Sequence, residues 1–230
     1  MKTFKQLLSR KSFVVVASLP ANDPALAAAA FKAGADAVKL HLNVEHRASG
    51  RRFGAWRQEK SAILKILRDR RGPVGLMPGA AVTASPEELK EALAAGVSFL
   101  DAYDYDWPAW MLSLPACLMI AAPHGFCLGR VAEYAALGMG CLEASIIAPE
   151  DYGKPLSARD LSQYRQLVRA ARRPVLVPSQ KALRPSDLAL LRRAGARGVL
   201  LGAVCLGTGV ASWKRGLPAF VAAARRLAER

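Results

Sequence analysis

Acidic residues are scarce in this chain. Eighteen Asp and Glu stand against 33 Lys and Arg, which leaves a formal net charge of +15 over 230 residues. Histidine occurs three times and cysteine four times. No two of Cys117, Cys127, Cys141 and Cys205 have the spacing of a metal-ligand pair. They read as small buried hydrophobes in a reducing compartment. No apolar window reaches the length of a membrane-spanning helix. The glycine-rich dinucleotide fingerprint is absent after the first strand, where "SLPANDP" stands, and there is no phosphate-loop lysine motif. No nucleic-acid motif accompanies the arginines, which are scattered over stretches such as "LRDRRG" and "LRRAGAR". They read as solvated helix faces and helix C-termini, where the dipole favours cations.

What the chain does have is apolar material. Hydrophobic residues make up 52%, ample for a large core and unlike a disordered segment. The N-terminus, "MKTFKQLLSRKSFVVVASLP", is basic and then apolar, which imitates a signal peptide. Its apolar part is short and β-branched and runs straight into a helical pattern, so it reads as a buried first strand. A cytoplasmic address is expected. From there short apolar strands alternate with amphipathic helices to the end. Asp23 caps the first of these helices, with Pro24 next and Gly34 as its stop. "SPEELKEALAAG" has the spacing of a capping box between Ser85 and Glu88. Eight strands in rotation with helices imply parallel pairing through helical crossovers. No composition shift marks a boundary. The expected fold is α/β, a single (β/α)8 barrel over residues 1–230.

In such a barrel the C-terminal strand ends build the site. The second strand, "DAVKLHLNV", alternates strictly. Leu40 and Leu42 should face the helices, and Lys39, His41 and Asn43 the interior. The same alternation turns Phe99, Asp101 and Tyr103 inward in the fourth strand, and Cys141, Glu143 and Ser145 inward in the sixth. Lys39, His41, Asp101 and Glu143 therefore meet on the inner wall from three strands. Uncompensated charges there are costly, so these four should pair with one another or with a charged ligand. They are the candidate catalytic residues, suited to acid–base work or, through Lys39, to Schiff-base chemistry. The competing reading is a satisfied ion pair that fills the barrel.

Barrels that hold a phosphate use the loops after the seventh and eighth strands and a short helix N-terminus. Gly202 with the amide of Ala203, Ser179, Lys181, and Ser18 at the end of the first strand are the candidate phosphate ligands. "SIIAPEDYGKPLS" is long enough for a lid, with Tyr152, Gly153 and Lys154 as its contacts. His46, Arg47 and His124 are weaker candidates in strand-end loops. No organic cofactor is implied, though Asp101, Glu143 and His41 are of types that a divalent metal takes. Trp107, Trp110 and Met111 suit either a homodimer contact or packing against the barrel.

The stretches "EAL…AGVSFLDAYDYD" and "SIIAPEDYGKPLS…VPSQKALRPSDLALLRRAGARGVLLGAVCLG" resemble the ribulose-phosphate-binding barrel superfamily, most nearly its N-acetylmannosamine-6-phosphate 2-epimerases. The resemblance implies a barrel enzyme that binds a sugar phosphate at strands seven and eight, where Ser179 and Gly202 lie. The epimerases carry a catalytic lysine at the end of strand three, where this chain has Met77 and Pro78. They carry an acid at the end of strand seven, where this chain reads "VPSQ". The epimerase catalytic pair is thus missing, and a lysine on strand two and a glutamate on strand six stand instead. The expected activity is isomerase- or epimerase-type proton transfer, or lysine-dependent lyase chemistry, on a small phosphorylated metabolite. The alternative is a catalytically silent barrel that binds a phosphorylated ligand or, less expected, nucleic acid through its basic surface. No membrane partner is expected.

Overall fold

The strands close on themselves. In a computed structural model, which describes residues 3–227, eight parallel strands form a barrel in the order β1-β10-β9-β8-β7-β6-β5-β2. In chain order they are β1 (Val14–Ser18), β2 (Ala37–His41), β5 (Val74–Met77), β6 (Val97–Tyr103), β7 (Cys117–Ala122), β8 (Cys141–Ala144), β9 (Val175–Pro178) and β10 (Gly198–Leu201). The other two, β3 (Val44–His46) and β4 (Arg51–Phe53), pair antiparallel as a hairpin above the end of β2. Two 3₁₀ turns, Asp104–Asp106 and Ala109–Ser113, stand where a crossover helix follows β6.

The helices start where their caps predict. Asp23 accepts from the amide of Ala25 ahead of α2 (Pro24–Lys32), and the Ser85–Glu88 capping box opens α4 (Pro86–Ala94). The others are α1 (Phe4–Arg10), α3 (Trp56–Asp69), α5 (Leu128–Glu133), α6 (Ala158–Ala171), α7 (Asp187–Ala194), α8 (Ala203–Leu206) and α9 (Val210–Arg226). The helix of α3 ends at Asp69 on an extended Arg70, ahead of Gly72. Leu40, Leu42, Leu142 and Ile146 join the outer core between strands and helices. Met111 and Trp107 belong to that core too, so of the three residues considered for a dimer contact only Trp110 is exposed.

Sequence reading missed α1. Its cap was legible: "TFKQ" has capping-box spacing, and Thr3 and Gln6 make both hydrogen bonds. The segment plugs the barrel floor, where the strands begin. Phe4 and Leu8 join Val14, Val16, Phe99, Met119 and others in an inner core separate from the outer one. The rings of Phe4 and Phe99 stack at 4.0 Å between centroids. Gly75 makes this possible, because a Cβ there would collide with the Phe99 ring. The floor is therefore closed, and side chains higher in the barrel open only toward the mouth. Among the described residues, no helix is long and apolar enough to cross a membrane.

Candidate functional site

Register explains how three strands bring their charges together. Lys39 is level with Gly75, which is level with Phe99, so Asp101 sits one inward step higher. Glu143 is level with Ala121, itself level with Tyr103. The long lysine stem climbs this stagger. Its Nζ donates to Asp101 and, at 2.8 Å, to Glu143 Oε2. Ser145 donates to Glu143 Oε1 at 2.7 Å. All of these residues are buried, yet Lys39, His41, Asp101, Glu143 and Ser145 line a cavity of about 840 Å³ at the mouth. The buried ion-pair reading and the site reading therefore describe the same residues: the charges are paired, and they face a cavity.

The protonation states follow from the pairing. Burial alone drives the Lys39 ammonium toward the neutral amine, but Asp101 and Glu143 override it and hold its pKa above the ordinary value. Burial opposes ionisation of Glu143 as well, and the Lys39 charge wins, holding it down at about 2. Asp101 goes the other way. Burial and the neighbouring Glu143 charge push it well above its usual range. One cation and one anion balance, and a second anion in the same dry space does not, so Asp101 keeps its proton. Its Oδ1 is buried and has no partner.

A second layer fixes β2. The buried Asn22 clamps the His41 backbone, donating to its carbonyl at 2.7 Å and accepting from its amide at 3.1 Å. Asn22 also donates to Glu59 at 2.9 Å, and Glu59 accepts from the Gly54 amide where the hairpin enters α3. The His41 ring lies between those of His46 and Phe53, each at 4.8 Å. Burial, with the neighbouring His46 ring and the Lys39 charge, holds His41 well below its ordinary pKa, and its buried Nδ1 has no partner. His46 is lowered to about 4 by burial and by Lys39. Asn43, expected inside, instead turns left-handed (φ 48°) into the hairpin and donates to the Pro78 carbonyl.

Among the phosphate candidates, Ser18, Ser179, Gly202 and Ala203 border the cavity on one side. The Gly202 amide donates to Ser179 Oγ at 2.8 Å, and a Cβ at Gly202 would lie 3.3 Å from the Ser18 carbonyl. Lys181 does not join them. It is buried behind the wall, 3.5 Å from Asp160. A lysine so close in sequence to Ser179 suggested an anion ligand, but here the chain turns it onto α6. The expected lid is fastened. Gly153 donates to the Gln180 carbonyl, Ala182 donates to the Lys154 carbonyl, and Gln180 Nε2 donates to the Tyr152 hydroxyl at 2.5 Å. Tyr152 borders the cavity, whereas Lys154 pairs outside it with Asp151.

His46, Arg47 and His124 border the cavity. Arg47 reaches over the mouth to within 6.0 Å of the Tyr152 ring. His124 Nδ1 meets the Ile146 carbonyl at 3.2 Å. Tyr103, expected inside, borders the cavity with its ring stacked on Tyr105. Sequence reading missed Asn22, Gln180 and Tyr105 as parts of the site. For Gln180 the signal was its place at the end of a strand. Asn22 and Tyr105 gave none. Among the described residues no three His, Cys, Asp or Glu side chains are grouped to hold a metal ion. The space between Asp101 and Glu143, where a metal was considered, is taken by the Lys39 ammonium.

No protein-family model matches the sequence, and no curated protein matches it. Solved structures do. Thiamine phosphate pyrophosphorylase from Pyrococcus furiosus superposes with a TM-score of 0.68 at 13% identity, covering 96% of this chain and 98% of its own. The tryptophan synthase A-subunit from Pyrococcus furiosus gives 0.67 at 17% identity, covering 92% and 98%. At such identities the likeness is one of fold, a complete (β/α)8 barrel.

Proposed function

We propose that the chain is an isomerase or epimerase that moves a proton at a carbon next to a carbonyl, on a small phosphorylated, sugar-like metabolite. One observation carries this reading. An ammonium stands between two carboxyl groups whose environments push their pKa values in opposite directions, at the inner end of a cavity open to the mouth. A base must be ionised and an acid protonated, and this pair supplies one of each.

In the proposed reaction the substrate carbonyl oxygen takes the place of one of the two Lys39 contacts. The ammonium then steadies the negative charge that develops on that oxygen. Glu143, freed from Lys39, gains basicity and takes the proton from carbon, leaving an enolate. For epimerisation Asp101 gives its proton to the opposite face of that carbon; for isomerisation it protonates the former carbonyl carbon while the vicinal hydroxyl proton passes to the former carbonyl oxygen. The two carboxyl groups end with their protonation states exchanged, and proton exchange with solvent returns them before the next forward turnover. Neutral His41 offers Nδ1 to a substrate hydroxyl. Ser179, Ser18 and the amides at the start of α8 hold the phosphate, the Ser179 hydroxyl turning from Gly202 to the ligand. One similar barrel is named for a phosphate-bearing molecule, which agrees with this placement. The finer likeness to N-acetylmannosamine-6-phosphate 2-epimerases guides the choice of substrates.

Lysine-dependent lyase chemistry is less favoured. A nucleophilic amine must be neutral, and the ionised Glu143 beside it holds Lys39 protonated.

The test is exchange. The protein is incubated in deuterated water with a panel of ketose, aldose and hexosamine phosphates, and the carbon beside each carbonyl is followed by NMR. Deuterium entering that carbon, with loss of exchange in Glu143→Gln, supports the reading. A borohydride-trapped adduct on Lys39 without exchange replaces it with lyase chemistry. Binding of a panel member with neither outcome leaves a silent barrel.

A further inference from the structure

The positive charge of this protein is not spread over its surface. Helices of the barrel run opposite to the strands, so their C-terminal ends and the loops leaving them gather at the plugged floor. Most of the arginine clusters that looked scattered in the sequence arrive there; "RRFGAWRQEK" goes instead to the β3–β4 hairpin and the start of α3, at the mouth. "RDRRG" closes α3, "RAARRP" closes α6, "RRAGAR" closes α7, and Arg225 and Arg226 close α9. Contacts tie these segments into one face. Arg197 donates to the carbonyls of Leu8 and Lys11 at the end of α1, and Arg173 donates to Met139 ahead of β8. Arg225 lies against Gly34 at the end of α2, and Arg70 against Gly96 ahead of β6.

Few acids follow. Among the described residues, those carried to this end are Asp36, taken by Lys11, Asp69, taken by Arg68, and Glu133, which closes α5. The mouth loops carry Asp104, Asp106, Glu150 and Asp151 instead. Among the described residues, the excess of cations over acids therefore lies mostly on the floor, facing away from the cavity. Arg172 is telling. It stands in the left-handed position that ends α6 (φ 51°), where glycine is the unstrained choice. Dipole stabilisation asks for a cation near a helix end; it does not ask for one in that conformation.

The geometry points to the floor as a docking surface for the phosphate backbone of double-stranded nucleic acid. Its cations are mostly arginine, whose planar fork suits phosphate oxygens. A membrane partner would need apolar groups to insert. Of the large exposed apolar side chains among the described residues, two lie in segments leading back to strand starts, Leu137 ahead of β8 and Trp110 in the turn ahead of β7, and they belong to different connections. A stable protein interface would need an apolar centre with aromatic anchors, and single strands would need aromatic rings for stacking. Among the described residues the floor shows no such centre: Phe4 and Phe99 are buried in the plug, Phe13 is buried ahead of β1, and Phe31, in the last turn of α2, packs half-buried against the outer core. What remains is dense charge without base readout, the footprint of sequence-independent duplex binding.

The test uses the full chain and labelled duplexes of about 25 base pairs, DNA and RNA, of arbitrary sequence, read by fluorescence anisotropy. Affinity is expected to fall with a log–log salt slope of about −4 or steeper, close to a 250-fold loss between about 50 and 200 mM salt. Arg169→Glu, Arg193→Glu and Arg226→Glu together should weaken binding at least about tenfold and flatten the slope by about one per arginine. Lys214→Glu with Arg215→Glu, at the far end of α9, should leave it unchanged. The corresponding three-Gln variant gives the same readout if the three-Glu protein fails to fold. Absence of salt-dependent binding overturns the proposal. So does binding that survives loss of the three arginines, tighter binding to single strands, or sedimentation with phosphatidylserine vesicles in place of duplex binding. The DNA and RNA arms decide which duplex is preferred.

Discussion

Glu143 can lose its charge without leaving the barrel unbalanced, because Asp101 is a neutral neighbour that can ionise in its place. Glu143→Gln is therefore expected to fold with little loss of stability, while turnover on whichever panel substrate exchanges falls by about 10²–10⁴. Lys39→Met is different. It leaves two carboxyl groups buried with no cation and should cost about 3–5 kcal/mol, so a drop in activity there reports on folding as well. A Glu143→Gln protein with undiminished turnover would remove Glu143 from the chemistry. Asp101 makes the opposite trade. Its folded pKa lies above the unfolded value near 3.8, so the stability it contributes is full below pH 3.8 and drains away as pH rises toward the folded value. Asn keeps the shape and never ionises. Asp101→Asn should then match the parent near pH 4, exceed it in urea midpoint at pH 7, and lack catalytic activity. An Asn variant weaker than the parent by the same amount at both pH values would contradict a protonated Asp101. These residues were legible in the sequence because a strand alternates with a period of two, and a polar residue on the buried face must have a reason to be there. Lys181 was misread because sequence adjacency to Ser179 says nothing about which way the loop turns. Asn22 gave no signal, since its role depends on a strand end that is distant in the chain.

The barrel strands and most helices were legible for a similar reason: caps, stops and periodicity are local properties, and they agree here with the closed fold. The β3–β4 hairpin was not. Three-residue strands are too short to show alternation, and their support comes from His41, which stacks on Phe53 and His46. Helix α1 was hidden by its position, since a basic, apolar start invites a reading as a targeting segment. Its value lies in what it plugs. Phe4 rests on Phe99, and Phe99 occupies the space that Gly75 leaves empty. Gly75→Ala should cost about 1–3 kcal/mol by pushing the Phe99 ring off Phe4. In a Phe99→Leu background the same substitution should cost under about 0.5 kcal/mol, because the two changes act on one space. Chemical denaturation of the four proteins measures this. Equal costs in both backgrounds would mean that the glycine serves strand β5 and not the plug.

On the scale of the molecule, the charge is divided: a nearly balanced mouth above a cationic floor. The sequence gives the sum and hides the division, because only the antiparallel run of helices against strands sorts most of the arginine clusters to one end. This division changes what a net charge of +15 means for the site. A phosphorylated metabolite approaching the mouth meets acids as often as bases, so the excess does little to steer it. The excess acts on the fold instead. Arginines crowded at the floor repel one another, and among the described residues two of the four ion pairs made by floor or mouth-loop acids, Arg68–Asp69 and Lys154–Asp151, are exposed enough to be worth about 0–1 kcal/mol each. Screening weakens both effects, but the uncompensated repulsion is the larger one. Raising salt shortens the screening length from about 30 Å at 0.01 M to about 10 Å at 0.1 M. The urea midpoint should therefore rise with added sodium chloride, most steeply below about 0.1 M, where that length still spans neighbouring floor arginines. In the variant with Arg169, Arg193 and Arg226 changed to Gln the rise should shrink. A midpoint that falls with salt would mean that ion pairs, and not the crowded floor, govern the electrostatics of this fold.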